Sequence, residues 1–220
     1  MKTTNFSSWR MLTVALALMT FSAKAQLGSR FVIEADKRIT KKIKLDGNLQ
    51  MRNVDFAFPA DKYIGELGVV FNLPKGFEAD VYYRYIHDYK PKKETYSPKH
   101  RFYGDVSYKR DLTKSIELQY RVRYQNQFKD TDGEFANDKS YVRNKLEIAF
   151  PNKSKFKPSL SADLFYQLGY TFDQVRIKAE TNYKVKKGQK IHAAFFTDRS
   201  LNNDFNTNYV MQLGYSFSFK

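Results

Sequence analysis

Arginine is the residue type whose spacing in this chain could do chemistry. Arg52, Arg84 and Arg123 come late on segments that rise from short turns, while Arg101, Arg143 and Arg176 come early on segments that descend from longer loops. Each falls on the polar parity of an alternating segment, so all six share one face and one end of whatever those segments build. Guanidinium groups gathered in a reduced dielectric repel one another strongly unless carboxylates or a bound anion intervene. Glu78, Asp80, Asp105, Glu117, Glu147 and Glu180 share that parity but mostly lie nearer the turns. Partial pairing is therefore expected. It leaves either a positive mouth that favours small anions, such as phosphate groups or acidic sugars, or a neutralised plug.

Other chemistry is weakly signalled. His87-Asp88 stands at the end of a strand beside the loop leading to His100, and Ser107 is the nearest serine of polar parity on the next strand. A hydrolase needs such groups within hydrogen-bonding reach of each other, and no spacing here places them so. Asp130, Asp132, Glu134 and Asp138 crowd around Gly133. Calcium favours clustered oxygens, but the remaining ligand positions of a calcium loop do not follow, and Asp132-Gly133 reads as a chain reversal. No Cys/His cluster suggests a transition metal and no glycine-rich loop a nucleotide, so no cofactor is expected. Without cysteine, disulfides and thiolate chemistry are excluded.

The elements that must position these residues are β-strands. At the end of the chain, Tyr209, Met211, Leu213, Tyr215, Phe217 and Phe219 alternate with Val210, Gln212, Gly214, Ser216, Ser218 and Lys220. The same period recurs around 43–52, 77–85, 116–125 and 174–185, and less perfectly near 30–39, 62–73, 100–110, 141–150, 159–170 and 190–199. Each run matches the roughly 9 to 11 residues of a tilted membrane-spanning strand. Short turns at Thr40-Lys41-Lys42, Pro74-Lys75-Gly76, Thr113-Lys114-Ser115 and Lys186-Lys187-Gly188-Gln189, and a slightly longer one over 151–158, alternate with longer loops near 54–61, 89–99, 129–139 and 200–208. These are the features of an up-and-down meander. Eleven strands are visible, but single-chain bacterial barrels are normally even, so ten or twelve are expected.

Alternation alone does not say which face is inside. Opposite charges at close spacing on the polar face, as in Glu117/Arg121 and Lys178/Glu180, suit a lumen where charges pair. Tyr63, Tyr85, Tyr124, Tyr141, Tyr170 and Tyr209 gather toward strand ends, where an interfacial girdle would lie. The lysine-rich short turns would face the phospholipid head groups of the inner leaflet. The aromatic ending, with Tyr215, Phe217 and Phe219, resembles the terminal strand by which outer-membrane barrels are recognised for assembly. At the other end, Lys2 and Arg10, the apolar run Met11 to Phe21 and Ala23-Lys24-Ala25 form a cleavable export signal. The formal charge of +15 is dispersed over strands and turns, which together with export argues against a nucleic-acid partner.

The segments Arg143-Asn144-Lys145-Leu146-Glu147 and Leu164-Phe165-Tyr166, the strand from Gln174 to Lys184 and the ending Leu213 to Phe219 resemble a family, domain of unknown function 2490, of outer-membrane β-barrel proteins of Gram-negative bacteria. The resemblance implies location and fold and carries no established activity. The expectation is an all-β, single closed up-and-down antiparallel transmembrane barrel over 26–220 after a signal over 1–25. Its role would be structural or that of a narrow anion-preferring pore. A lipid-modifying hydrolase with a rim site and a soluble secreted β-barrel or sandwich binding module stay open. Expected partners are outer-membrane lipids, the barrel assembly machinery and small anions or lipopolysaccharide phosphate groups.

Overall fold

The computed structural model describes residues 27–54, 60–91, 94–131, 134–202 and 207–219. The export signal expected over 1–25 and the Asp132-Gly133 reversal lie outside them. The described chain forms eleven strands: β1 (Leu27–Arg38), β2 (Ile43–Asn53), β3 (Lys62–Asn72), β4 (Phe77–Lys90), β5 (Thr95–Thr113), β6 (Ile116–Thr131), β7 (Glu134–Ala149), β8 (Phe156–Gln167), β9 (Phe172–Lys186), β10 (Gln189–Ser200) and β11 (Thr207–Phe219). Consecutive strands pair antiparallel, and β1 pairs with β11 to close the barrel. The closing pair is parallel, running from Leu27↔Tyr209 to Lys37↔Phe219.

That closure corrects the expectation of ten or twelve strands. With eleven strands, the first and last run in the same direction, from the loop end to the turn end. A parallel ladder satisfies their backbone groups as an antiparallel one would. An even number is needed only if the closing pair must be antiparallel.

A second correction concerns the loops. The segments near 89–99 and 129–139 are strand for most of their length, since β4 pairs with β5 out to Lys90↔Thr95 and β6 with β7 out to Thr131↔Glu134. Polar side chains there interrupt the alternation without interrupting the ladder. A bulge between Gln127 and Phe128 accommodates the extra residue at Asp138. The long β4–β7 hairpins therefore extend the wall at the loop end.

The period of two sorts most side chains, with Val32, Ile64, Val70, Ile86 and Phe196 as apolar exceptions buried on the inner face. Leu49 is 65% and Leu67 70% exposed, whereas Arg123 is 6% and Asp105 3% exposed. Large apolar residues face outward and charged residues line the lumen. Two glycines on the inner face make room for neighbouring rings. A Cβ on Gly68 would coincide with the Tyr82 ring, and one on Gly214 with the His192 ring. Tyr82 stacks on Tyr103 with ring centroids 4.9 Å apart and donates a hydrogen bond of 2.7 Å to Asp46 Oδ2. In the β9–β10 turn, Gly188 has a φ of +74°, and a Cβ there would stand 2.7 Å from the Ser218 carbonyl oxygen. Tyr141 is a further correction. Expected in an outer girdle, it points inward, 9% exposed, and its hydroxyl bonds Gln167 and Asp173.

Candidate functional site

The register of the strands brings Arg52, Arg84, Arg101, Arg123, Arg143 and Arg176 to one layer inside the barrel, below its mouth. Arg30 of β1, directly opposite Arg52 in the ladder, joins them. Arg52 lines both the cavity above this layer and the cavity below it.

Four of the seven are matched with carboxylates. Arg123 makes a two-pronged contact with Asp105, Nε to Oδ1 and Nη2 to Oδ2, both 2.7 Å. Arg176 engages Asp198 in the same way at 2.5 and 2.7 Å. Arg143 Nη2 lies 2.8 Å from Asp163 Oδ1, and Arg84 Nε donates to Glu66. Such forked contacts orient the guanidinium as well as neutralising it. Aromatic faces complete the layer. The Arg123 guanidinium lies 3.8 Å from the Tyr103 ring centre, Arg143 4.1 Å from Phe165, and Arg30 and Arg176 4.7 and 4.6 Å from Phe196. A cation over a ring face gains attraction without a counter-charge.

The other three have amide partners in place of carboxylates. Arg52 donates Nε and Nη2 to Gln50 Oε1 at 3.1 and 2.6 Å, Arg101 donates Nη2 to Gln127 Oε1 at 2.5 Å, and Arg30 donates Nη1 to Gln212 Oε1 at 3.4 Å. Among the described residues Nε of Arg30, of Arg101 and of the carboxylate-paired Arg143 is buried without a hydrogen-bond partner. An amide oxygen supplies a hydrogen bond but no net charge.

Above the layer lies a cavity of about 350 Å³ at the loop end. Lys62, Lys90 and Lys99 converge on one carboxylate there, Asp88, at 3.3, 2.5 and 2.6 Å. Lys129 pairs with Asp138, and Lys139 also lines the space. Below the layer is a second cavity of about 300 Å³. There Lys145 meets Glu147, Lys178 meets Glu180, and Arg121 reaches both Asp105 at 3.6 Å and Asp163 at 3.8 Å.

The candidate hydrolytic residues are not brought together. His87 and His100 are on outward parity, where His87 packs on Tyr96 and His100 Nδ1 lies 2.7 Å from the Tyr83 hydroxyl, whereas Ser107 is buried on the lumen side. Of the acidic residues around Gly133, Asp138 turns inward to Lys129 and Gln127, and Asp132 lies outside the described residues. Among the described residues no group of three or more metal-ligating side chains forms. Tyr215, Phe217 and Phe219 form an aromatic strip on the outer wall at the turn end, with successive ring centroids 4.6 and 6.4 Å apart.

Residues that the sequence reading passed over are Arg30, Glu66, Asp163 and Asp198, together with the inward aromatics Phe165 and Phe196. Asp163 was accessible, since Ser159, Ser161 and Asp163 alternate with Leu160 and Ala162. Phe196, 1% exposed, breaks the rule that inward positions are polar and so makes its strand look irregular.

A family model described as "Protein of unknown function (DUF2490)" matches residues 23–215. No curated protein matches the sequence. Among solved structures, the β domain of the Bordetella autotransporter BrkA is similar, with a TM-score of 0.52 at 9% identity over 83% of this chain and 86% of that one. That likeness concerns the fold.

Proposed function

Because the chain belongs to the DUF2490 family of proteins of unknown function, its role has to be read from the barrel itself, and we propose that it is an outer-membrane β-barrel whose lumen takes small anions and is too obstructed for general diffusion. The observation that carries the membrane reading is the orientation of the wall. Every one of the eleven strands turns at least one large apolar side chain outward, from Phe31 and Ile33 on β1 through Leu67, Val81 and Phe102 to Met211 and Leu213 on β11. A soluble monomer rarely exposes a continuous apolar patch beyond roughly 300–600 Å², and here the apolar surface encircles the molecule. Lipid would cover it. Turns such as Lys186 to Gln189 then face the periplasm, and the loop end faces outward, as the usual barrel arrangement has it.

The second half of the reading rests on the arginine layer. Seven guanidiniums, their carboxylates and three aromatic rings occupy the middle of the lumen, so any passage is narrow. Arg30, Arg52 and Arg101, which have no carboxylate partner among the described residues, bias it toward anions.

Refolded protein in planar bilayers tests the proposal, alongside outer-membrane fractionation and the gel shift between unboiled and boiled samples. The expected result is a heat-modifiable membrane protein that is silent or conducts in small, anion-selective steps. Large unselective conductance overturns the obstructed lumen, and recovery as a soluble periplasmic monomer overturns the membrane location.

A further inference from the structure

The loop-end cavity carries more positive charge than its own carboxylates can balance, and we propose that it is a binding site for a ligand bearing two or more phosphate groups. The inference rests on the reading of the lumen as anion-accepting and names the chemistry of what is bound. The described residues lining the space include five lysines, two arginines, Asp88 and Asp138. That is seven cations against two carboxylates, a surplus of five. A phosphate monoester carries about −1.5 to −2 charges near neutral pH, so one leaves most of the surplus unmatched, two offset most of it and three remove it.

The distribution of the contacts points the same way. Asp88 is shared by Lys62, Lys90 and Lys99, so at least two of those ammonium groups stand near a carboxylate already engaged. Deeper in, Arg52 and Arg101 are closely enclosed by the barrel, and among the described residues neither has a carboxylate within ion-pair distance. Among the described residues the Nε–H of Arg101 has no acceptor. Planar forks at the floor and mobile point charges on the walls are complementary ways of holding phosphate oxygens, the first directional and the second adaptable. A volume of about 350 Å³ lies within the range of small-molecule pockets. A single carboxylate ligand would leave most of the charge unmatched, and a long polyanion could enter only by its end.

Titration calorimetry of the refolded full chain in a zwitterionic detergent, at fixed ionic strength, tests this with inorganic pyrophosphate and orthophosphate. Pyrophosphate is expected to bind at least tenfold more tightly. Arg52→Gln, and Lys99→Gln combined with Lys129→Gln, should each weaken it about tenfold or more. Lys186→Gln with Lys187→Gln, at the opposite end, should leave it unchanged. Asp88→Asn should tighten it, a gain that loss of folding cannot imitate. Each variant is first required to show the wild-type gel shift on boiling. A diphosphorylated glycolipid in the same micelles separates the two sources: displacement of pyrophosphate assigns the site to a lipid head group, and failure to displace assigns it to soluble phosphates. Equal affinity for the two phosphates, no binding, or unaltered affinity in folded loop-end variants overturns the proposal. In a heat-modifiable, anion-selective or silent barrel, those results remove this inference alone. A soluble monomer that still binds pyrophosphate in these ratios removes the membrane reading alone.

Discussion

The two ends of the lumen are built from the same residue types and solve the charge problem differently. Below the arginine layer, Lys145 and Lys178 each have their own carboxylate, and Arg121 has two within reach. Above it, three lysines share Asp88. Complete matching costs the fold least, because an unpaired buried charge is expensive. At the loop end Lys62, Lys90 and Lys129 reach solvent, so their surplus charge costs the fold little and stays available to a ligand. The layer itself divides likewise. Arg84, Arg123, Arg143 and Arg176 are paired with carboxylates, while among the described residues Arg30, Arg52 and Arg101 hydrogen-bond amides and have no carboxylate partner.

The largest expected effect extends the comparison to the outer wall. Replacing Phe217 and Phe219 with Ser removes the aromatic strip at the turn end, and membrane-inserted protein should fall to a small fraction while export continues. Replacing Tyr63 and Tyr85 with Ser at the loop end should leave insertion near normal. Quantifying heat-modifiable protein in outer-membrane fractions for both pairs checks this, and equal losses would erase the distinction between the ends.

Stability separates the matched from the unmatched arginines. Asp105→Asn strands Arg123 and weakens the hold on Arg121, so it should cost about 3–5 kcal/mol, the usual loss when one member of a buried pair is removed. Arg52→Gln leaves no carboxylate behind and should change stability by no more than about 1 kcal/mol. Urea midpoints in detergent measure both. A smaller effect tests the close packing of the inner wall. Gly214→Ala drives a methyl into the His192 ring, and overpacking of this kind costs about 1–3 kcal/mol. Relief by the double change Gly214→Ala, His192→Ala would identify the ring as the cause. The smallest effect belongs to the paired lysines of the turn end. Changing Lys145 and Glu147 together to Gln leaves no charge stranded, so it should alter stability by less than about 1 kcal/mol and leave anion selectivity as it is.

Much of this arrangement was legible in the chain before it was folded. Side-chain period is local, so Leu118, Tyr120 and Val122 could be assigned to one face and Gln119, Arg121 and Arg123 to the other from their order alone. The common face and common level of Arg52, Arg84, Arg101, Arg123, Arg143 and Arg176 followed from counting residues back to the turns, and eleven alternating runs were visible. The remainder depended on relations between strands. Whether β1 meets β11 parallel is decided by closure, which no single segment encodes. Arg123 finds Asp105 and Arg176 finds Asp198 because register sets those residues directly opposite each other. A shift of two residues would keep every face and change every partner. Phe165 and Phe196 sit inward because guanidiniums from neighbouring strands cover their rings, an environment that exists only in the closed barrel. Alternation thus determined strands and faces, since it is a property of consecutive residues. Strand parity, hairpin length and the choice between a paired and an unpaired arginine are properties of contacts far apart in the chain, and only the tertiary structure decided them.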